Sequence, residues 1–240
     1  MTGVNLHRWL PLDEDGRVLW MKYSFGPGTA NSLAVMLNDK TWMVISPASD
    51  APESAYRALE ERAPVGALVA PNPYHNLGQP AWRNRFPGAL SYAPKQAFAR
   101  LLKKTPDLAY RPVEDLAGRL AATDIVLPDG MKNPDVLFRV STPTGNIWWM
   151  GDQFSNSDAT DQTWLLRSVA RFFGSGLGFR CNSKPELVYV RDRAAWIGSI
   201  RSALASAPPS VVVPAHGNPV VRDAAERTRR ALDAIDVQTR

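Results

Sequence analysis

The sequence is poor in the residues that build disulfide frameworks, membrane spans and metal clusters. Its 240 residues contain one cysteine, Cys181, and three histidines. A single cysteine excludes an intramolecular disulfide and is typical of a reducing compartment. No apolar run approaches 18 residues, and residues 1–20 contain no apolar signal-peptide segment. These absences predict a cytoplasmic protein without a membrane partner.

The chain also lacks a block of like charges. Its formal net charge is +5, which suits an anionic partner, but the basic residues are dispersed among acidic ones, as in 222–227. This pattern is typical of a solvated surface and makes a nucleic-acid partner a poor expectation. The sequence does not indicate an oligomeric state.

The apolar runs predict one α/β domain that spans residues 1–240. Twenty prolines and 16 glycines supply many turns, as expected of a strand-rich fold. We predict strands at 17–24, 32–37, 41–46, 66–70, 89–92, 124–127, 136–140, 146–150 and 210–214. We predict helices at 52–63, with Asp50 as N-cap, and at 80–85, 95–104, 162–173, 192–206 and 222–235. The glycine-rich stretch 174–178 is predicted to be a flexible turn.

Three apolar strands each end in a side chain that can bind a metal. His75 follows the strand of segment 67–78 (ALVAPNPYHNLG), Asp152 ends 147–152 (IWWMGD), and His216 lies near the end of 211–217 (VVVPAHG). Zinc sites use histidine nitrogens and carboxylates from different strand ends, and catalytic ones leave a position for water. Iron or manganese also accepts two nitrogens and one oxygen. A single such histidine is more often structural, but three strand ends together predict a metal site.

These segments resemble the metallo-β-lactamase superfamily over roughly residues 17–220. The family loop His-x-His-x-Asp-His-x-Gly-Gly aligns with 70–78, so that His75 matches the last histidine and Gly78 the closing glycine. The Gly-Asp at 151–152 matches the family's bridging aspartate, and 214–217 matches its final Pro-x-His-Gly. The resemblance implies an αββα four-layer sandwich with metals at one edge.

Departures from the family pattern are concentrated at one metal position. Ala70, Asn72 and Met131 stand where the three histidines of the first position would be. At the second position Tyr74 replaces an aspartate, while the other three ligands are retained as His75, Asp152 and His216. The resemblance therefore implies a reduced site with a single metal, zinc by analogy.

The resemblance also implies a reaction. A divalent ion on the three ligands would activate a water for attack on an ester, lactone or thioester of unknown identity. In this scheme Asp152 acts as ligand, Tyr74 could donate a hydrogen bond to the oxyanion, and Asn72 could orient water or substrate. For Tyr74, Asn72 and two possible anion contacts, Lys132 and Lys184, a purely structural or surface role is the alternative.

A second interpretation belongs to a different class of protein. Without metal, the two histidines and Asp152 could simply hydrogen-bond one another. The chain would then be a catalytically inactive binding or structural protein, and its tryptophans (Trp82, Trp148, Trp149, Trp164, Trp196) would serve packing or a partner surface.

Overall fold

The structure, a computed structural model, describes residues 6–161, 168, 176–182 and 189–237. Apart from residue 168, the predicted helix at 162–173 lies outside the described residues. Trp164, Lys184 and residues 174–175 of the glycine-rich turn lie outside them as well. Among the described residues, no helix is long and apolar enough to cross a membrane.

The first sheet contains seven strands in sequence order. They are β1 (Leu10–Pro11), β2 (Val18–Ser24), β3 (Thr29–Met36), β4 (Trp42–Ile45), β5 (Val65–Val69), β6 (Leu90–Ala93) and β7 (Tyr110–Pro112). Strands β1 to β4 are antiparallel neighbours, as predicted for the hairpins of β2 to β4, and β4 to β7 run parallel. The parallel strands bring the carboxyl ends of β4 and β5 to one edge of the sheet.

The second half of the chain forms two smaller sheets. In chain order the strands are β8 (Thr123–Val126), β9 (Leu137–Thr142), β10 (Gly145–Trp149), β11 (Phe154–Ser157), β12 (Gly178–Cys181), β13 (Pro209–Val213) and β14 (His216–Gly217). The four-stranded sheet has the order β13-β10-β9-β8, and the three-stranded sheet has the order β12-β11-β14. Because β10 and β13 are parallel, their carboxyl ends also share one edge.

Five described α-helices accompany the sheets. They are α1 (Glu53–Glu60), α2 (Gln79–Arg85), α3 (Phe98–Lys104), α4 (Arg193–Ser206) and α5 (Ala224–Val237). The prediction of Asp50 as N-cap was wrong, because Pro52 directly precedes α1. Proline lacks an N–H and has a fixed φ, so it can begin a helix without a side-chain cap. The Asp50 carboxylate lies instead 3.4 Å from His7 Nε2.

The layers follow from the alternation of side chains along the strands. In β2, Val18 and Trp20 face the second sheet, where they share a core with Phe138 and Trp149. Leu19 faces the opposite way, toward the core beneath α1 and α2. On the far side, Trp148 of β10 packs in the core that includes α4 and α5. The order is helices, sheet, sheet, helices, which confirms the αββα sandwich.

Four of the tryptophans named above lie within the described residues and serve packing. Trp82, Trp148, Trp149 and Trp196 are fully buried. Trp82 Nε1 donates to the Ala48 carbonyl and Trp148 Nε1 to the Ala207 carbonyl, at 3.0 Å each. The suggestion of a partner surface was wrong for these four, because a large ring gains more free energy in the core than in water.

Candidate metal centre

His75, Asp152 and His216 meet at the sandwich edge formed by the carboxyl ends of β5, β10 and β13. The Asp152 Oδ1 atom lies 2.9 Å from His75 Nε2 and 3.1 Å from His216 Nε2. One ligand atom from each residue lies within 4.8 Å of the others. The side chains of His75 and Asp152 are 7% and 11% exposed, and that of His216 is 30% exposed. The group is therefore shielded but open to solvent on the His216 side.

The loop after β5 presents His75 through an internal cap. The Asn72 side-chain oxygen accepts hydrogen bonds from the backbone N–H groups of Tyr74, at 2.9 Å, and His75, at 3.0 Å. Such an Asx turn fixes the loop without regular secondary structure. Gly78 closes the loop against β4, since a Cβ there would lie 2.0 Å from the Pro47 carbonyl oxygen. Glycine is required because the backbone itself approaches so closely.

The hairpin of β2 and β3 holds His216. Its Nδ1 atom lies 2.8 Å from the Thr29 carbonyl oxygen. The fully buried Asn31 donates from its side chain to the carbonyls of Pro214 and Gly217, at 2.8 Å each. β3 therefore fixes both the imidazole ring and the turn that carries it.

A buried ion pair supports this arrangement. Lys22 Nζ lies 2.6 Å from Asp161 Oδ1 and 2.7 Å from Asn218 Oδ1. The side chains of Lys22 and Asp161 are only 6% and 3% exposed. The Thr29 hydroxyl donates to the same Asp161 oxygen at 3.0 Å. The pair therefore connects β2 to Thr29, whose carbonyl contacts His216, and to Asn218, which lies two residues after His216.

Ser46 holds the other histidine. Its Oγ lies 2.8 Å from His75 Nδ1, and His75 Nε2 lies 2.9 Å from Asp152. Hydroxyl, imidazole and carboxylate follow the order of a serine-hydrolase triad. Ser46 is fully buried, however, and its hydroxyl also contacts Tyr23 OH at 3.2 Å. Because no substrate can reach a buried nucleophile, we assign Ser46 to the orientation of His75.

The turn into Asp152 depends on a buried carboxyl group. Asp152 donates its backbone N–H to Asp135 Oδ2 at 2.9 Å. The preceding Gly151 has φ +57°, and a Cβ on it would lie 2.2 Å from Asp135 Oδ1. Asp152 Oδ2 accepts from Asn72 Nδ2 at 3.1 Å and from the Tyr189 hydroxyl. Both oxygens of Asp152 are thus surrounded by donors.

Burial and neighbouring charges shift the pKa values of Asp152, His216 and Asp135 in different directions. Burial opposes ionisation of Asp152, but His75 and His216 outweigh it and hold the pKa of Asp152 well below its usual value of 3.8. Burial alone would lower the pKa of His216, yet its hydrogen bond to Asp152 and the charge of that residue raise it above 6.5. Burial and the charge of Asp152 raise the pKa of Asp135 to about 8. At neutral pH Asp152 is ionised, whereas Asp135 favours its protonated form.

These shifts predict how the stability of the metal-free protein depends on pH. His216 and Asp135 bind protons more tightly in the folded chain, so folding takes up a proton at Asp135 between about pH 3.8 and 8 and at His216 as the pH rises through 6.5. We expect the free energy of unfolding to fall as pH rises from 6.5 to 8, by up to about 1.4 kcal/mol per pH unit for each group. Urea denaturation in the presence of a chelator measures this slope. The Asp135→Asn variant should show a smaller slope, and a stability that rises over this range would contradict the assignment.

The other residues that the sequence singled out make contacts with the protein around the metal ligands. The Tyr74 ring lies 5.5 Å from that of Tyr189, and the Arg100 guanidinium lies 4.3 Å above it. Asn72 is fully buried and contacts Asp152. Met131 pairs with Val190 and packs in the core beneath α4 and α5. Lys132 contributes its backbone N–H to the Tyr189 carbonyl. The catalytic roles of Tyr74 and Asn72 stay predictions.

The residues present fit one divalent ion. The Thr29 carbonyl can only accept a hydrogen bond, so His216 Nδ1 carries a proton. Loss of the second proton from the ring would leave the Nε2 lone pair available to an ion beside Asp152. Histidine ligands of metals are oriented through their second nitrogen in this way, and Ser46 occupies the same place beside His75. Two histidine nitrogens and a carboxylate oxygen match a catalytic zinc donor set.

Comparison with known proteins shows similarity at the level of structure. No protein-family model and no curated protein matches the sequence. Solved structures do match, including DIM-1 metallo-β-lactamase, at 14% identity and a TM-score of 0.62 over 96% of this chain and 99% of that one. A metallo-β-lactamase from Erythrobacter litoralis matches at 18% identity and 0.61 over 94% and 96%.

A third match is the metallo-β-lactamase FIM-1 from Pseudomonas aeruginosa in its mono-zinc form. It is 14% identical, with a TM-score of 0.61 over 97% of both chains. The matches extend over nearly the full length of each protein, and the layer order found above agrees with them. The chain therefore has the metallo-β-lactamase fold.

Proposed function

We propose that this protein is a hydrolase of the metallo-β-lactamase fold that works with one divalent ion, zinc by preference and iron or manganese by donor chemistry. The observation that carries the proposal is that His75, His216 and Asp152 each place one ligand atom within 4.8 Å of the others. The mono-zinc form of FIM-1 supports the idea that this fold can hold a single ion. The substrates we propose are esters, lactones or thioesters.

The residues of the site would have three roles: to hold the ion, to orient the imidazole rings and to contact the substrate. His75, His216 and Asp152 would hold the ion, which supplies Lewis-acid activation of a water and of a carbonyl group when bound. Ser46 and the Thr29 carbonyl orient the imidazole rings through their Nδ1 atoms. The half-buried Tyr74 lies one residue before His75 and is our candidate for a hydrogen bond to the oxyanion of the substrate.

One observation favours a different function. Asp152 already has four partners without an ion, two at each oxygen. A carboxylate satisfied in this way is stable as it stands. A metal-free binding protein on the same fold is therefore the second candidate, and the two functions differ in whether the histidines give up their contacts with Asp152 to an ion.

The test measures hydrolysis and its dependence on metal. We expect the protein loaded with one equivalent of Zn²⁺ to hydrolyse members of an ester, lactone and thioester panel, and a chelator to abolish the activity. His7→Ala is the matched control, because His7 is the one histidine away from the site and contacts Asp50. It should retain the activity that His216→Ala loses. Binding of zinc without hydrolysis of any substrate in the panel would reject the enzyme, and failure to bind zinc at all would favour the metal-free binding protein.

A further inference from the structure

The two oxygens of Asp152 have different neighbours. Oδ1 faces His75 and His216, whereas Oδ2 accepts hydrogen bonds from Asn72 Nδ2 and from the hydroxyl of Tyr189. A carboxylate oxygen offers about two lone-pair positions. Donors fill both positions on Oδ2. The two partners of Oδ1 are the histidines that would themselves bind the ion, so a cation can approach Asp152 through Oδ1.

The orientation of the Asn72 amide is determined by its surroundings. Its oxygen accepts from two backbone N–H groups of the loop, those of Tyr74 and His75. The NH₂ group must therefore point the other way, where it lies 3.0 Å from Asp135 Oδ1 and 3.1 Å from Asp152 Oδ2. The amide nitrogen stands between two carboxyl oxygens, at the position that a bridging cation would take.

Backbone and ring contacts hold Tyr189 in place. Its carbonyl accepts from the backbone N–H of Lys132 at 2.6 Å, and the next residue, Val190, pairs with Met131. Its ring meets the Tyr74 ring edge-on, with centroids 5.5 Å apart. The Tyr189 hydroxyl is thereby held on Asp152 Oδ2.

We propose that Asn72 and Tyr189 limit this centre to one divalent ion, because they place an amide and a hydroxyl where a second ion would bind Asp152. The inference deepens the proposed function and rests on it for the first ion. The part of the inference that concerns the additional ion depends only on the contacts of Asn72, Tyr189, Asp135 and Asp152. In this role both residues act by position.

The Asn72→Asp substitution tests the proposal. One oxygen of the new carboxylate can keep the loop hydrogen bonds, while the other replaces the amide nitrogen and faces Asp135 and Asp152. Three carboxylate groups suit Mn²⁺. We expect the wild-type protein to retain one Mn²⁺ per chain after incubation and desalting, and Asn72→Asp to retain two, as measured by elemental analysis. Asn38→Asp makes the same charge change at an exposed position and should retain one.

A second variant covers the case in which Asn72→Asp does not fold. In Asn72→Ser the shorter side chain can still accept from the loop, but it leaves the place between Asp135 and Asp152 open, so a second, weaker Mn²⁺ should bind. A second ion in either variant supports the proposal. Two ions in the wild-type protein, or no additional ion in the folded variants, would overturn it. No ion in the wild type and one in Asn72→Asp would reject the proposed function while supporting this inference.

Discussion

Replacing Asp152 with asparagine should remove both the bound ion and the hydrolytic activity. The substitution preserves the size of the side chain but takes away the one charge that the two histidines share. Loss of a residue that merely orients a metal ligand costs about 10–100-fold in affinity or activity. Loss of a ligand should therefore cost more than about 100-fold, measurable as the Zn²⁺ dissociation constant and as kcat/KM on the best substrate.

The control for this change is Asp124→Asn. Asp124 lies on β8, the edge strand of the four-stranded sheet. Its exposed side chain pairs with Arg139, so the variant makes the same chemical change at a residue outside the site. We expect its zinc affinity and kcat/KM to match the wild type. If Asp152→Asn bound zinc as tightly as Asp124→Asn does, the carboxylate would not be a ligand.

The second large effect concerns stability. Lys22→Met should leave the Asp161 carboxylate buried without its cation, although the apolar stem of the side chain is replaced at similar volume. Breaking a buried ion pair from one side costs about 3–5 kcal/mol. Urea denaturation of the chelated protein should show a loss of this size, and Asp161→Asn in the same chain should restore part of it.

Arg230→Met is the matched control for Lys22→Met. Arg230 pairs with Glu226 on α5, but the two side chains are 75% and 48% exposed. A surface pair of this kind contributes at most about 1 kcal/mol. An equal loss of unfolding free energy in the two variants would show that Lys22 contributes no more to stability than a surface charge does. That result would contradict its assignment as the support of the His216 segment.

The sequence predicted the strand ends of the site because each is a clear local pattern. A run of apolar residues followed by glycine or proline and a polar side chain was enough to find His75, Asp152 and His216. A similar pattern was present at Ser46, which follows β4 and precedes Pro47, so this residue could have been recognised. Asp135 lies before β9 instead of after a strand, and its importance depends on which strands become neighbours.

Other features of the site have no sequence signal. Thr29 contributes a backbone carbonyl, which every residue possesses, and Tyr189 reaches Asp152 from a part of the chain 37 residues away. The short strands β1, β7, β11, β12 and β14 were missed because two to four residues are too few to show a periodicity. The layer order was predictable from the family resemblance, since each half supplies β and α elements that must cover both faces of the sheets.

The central claim is that His75, Asp152 and His216 together hold one divalent ion. The most direct test is elemental analysis of the untagged protein purified without chelator, with His216→Ala and His7→Ala prepared in parallel. Our account predicts close to one equivalent of zinc, iron or manganese in the wild type and in His7→Ala, and none in His216→Ala. An absence of metal from all three, even after incubation with Zn²⁺, would contradict it.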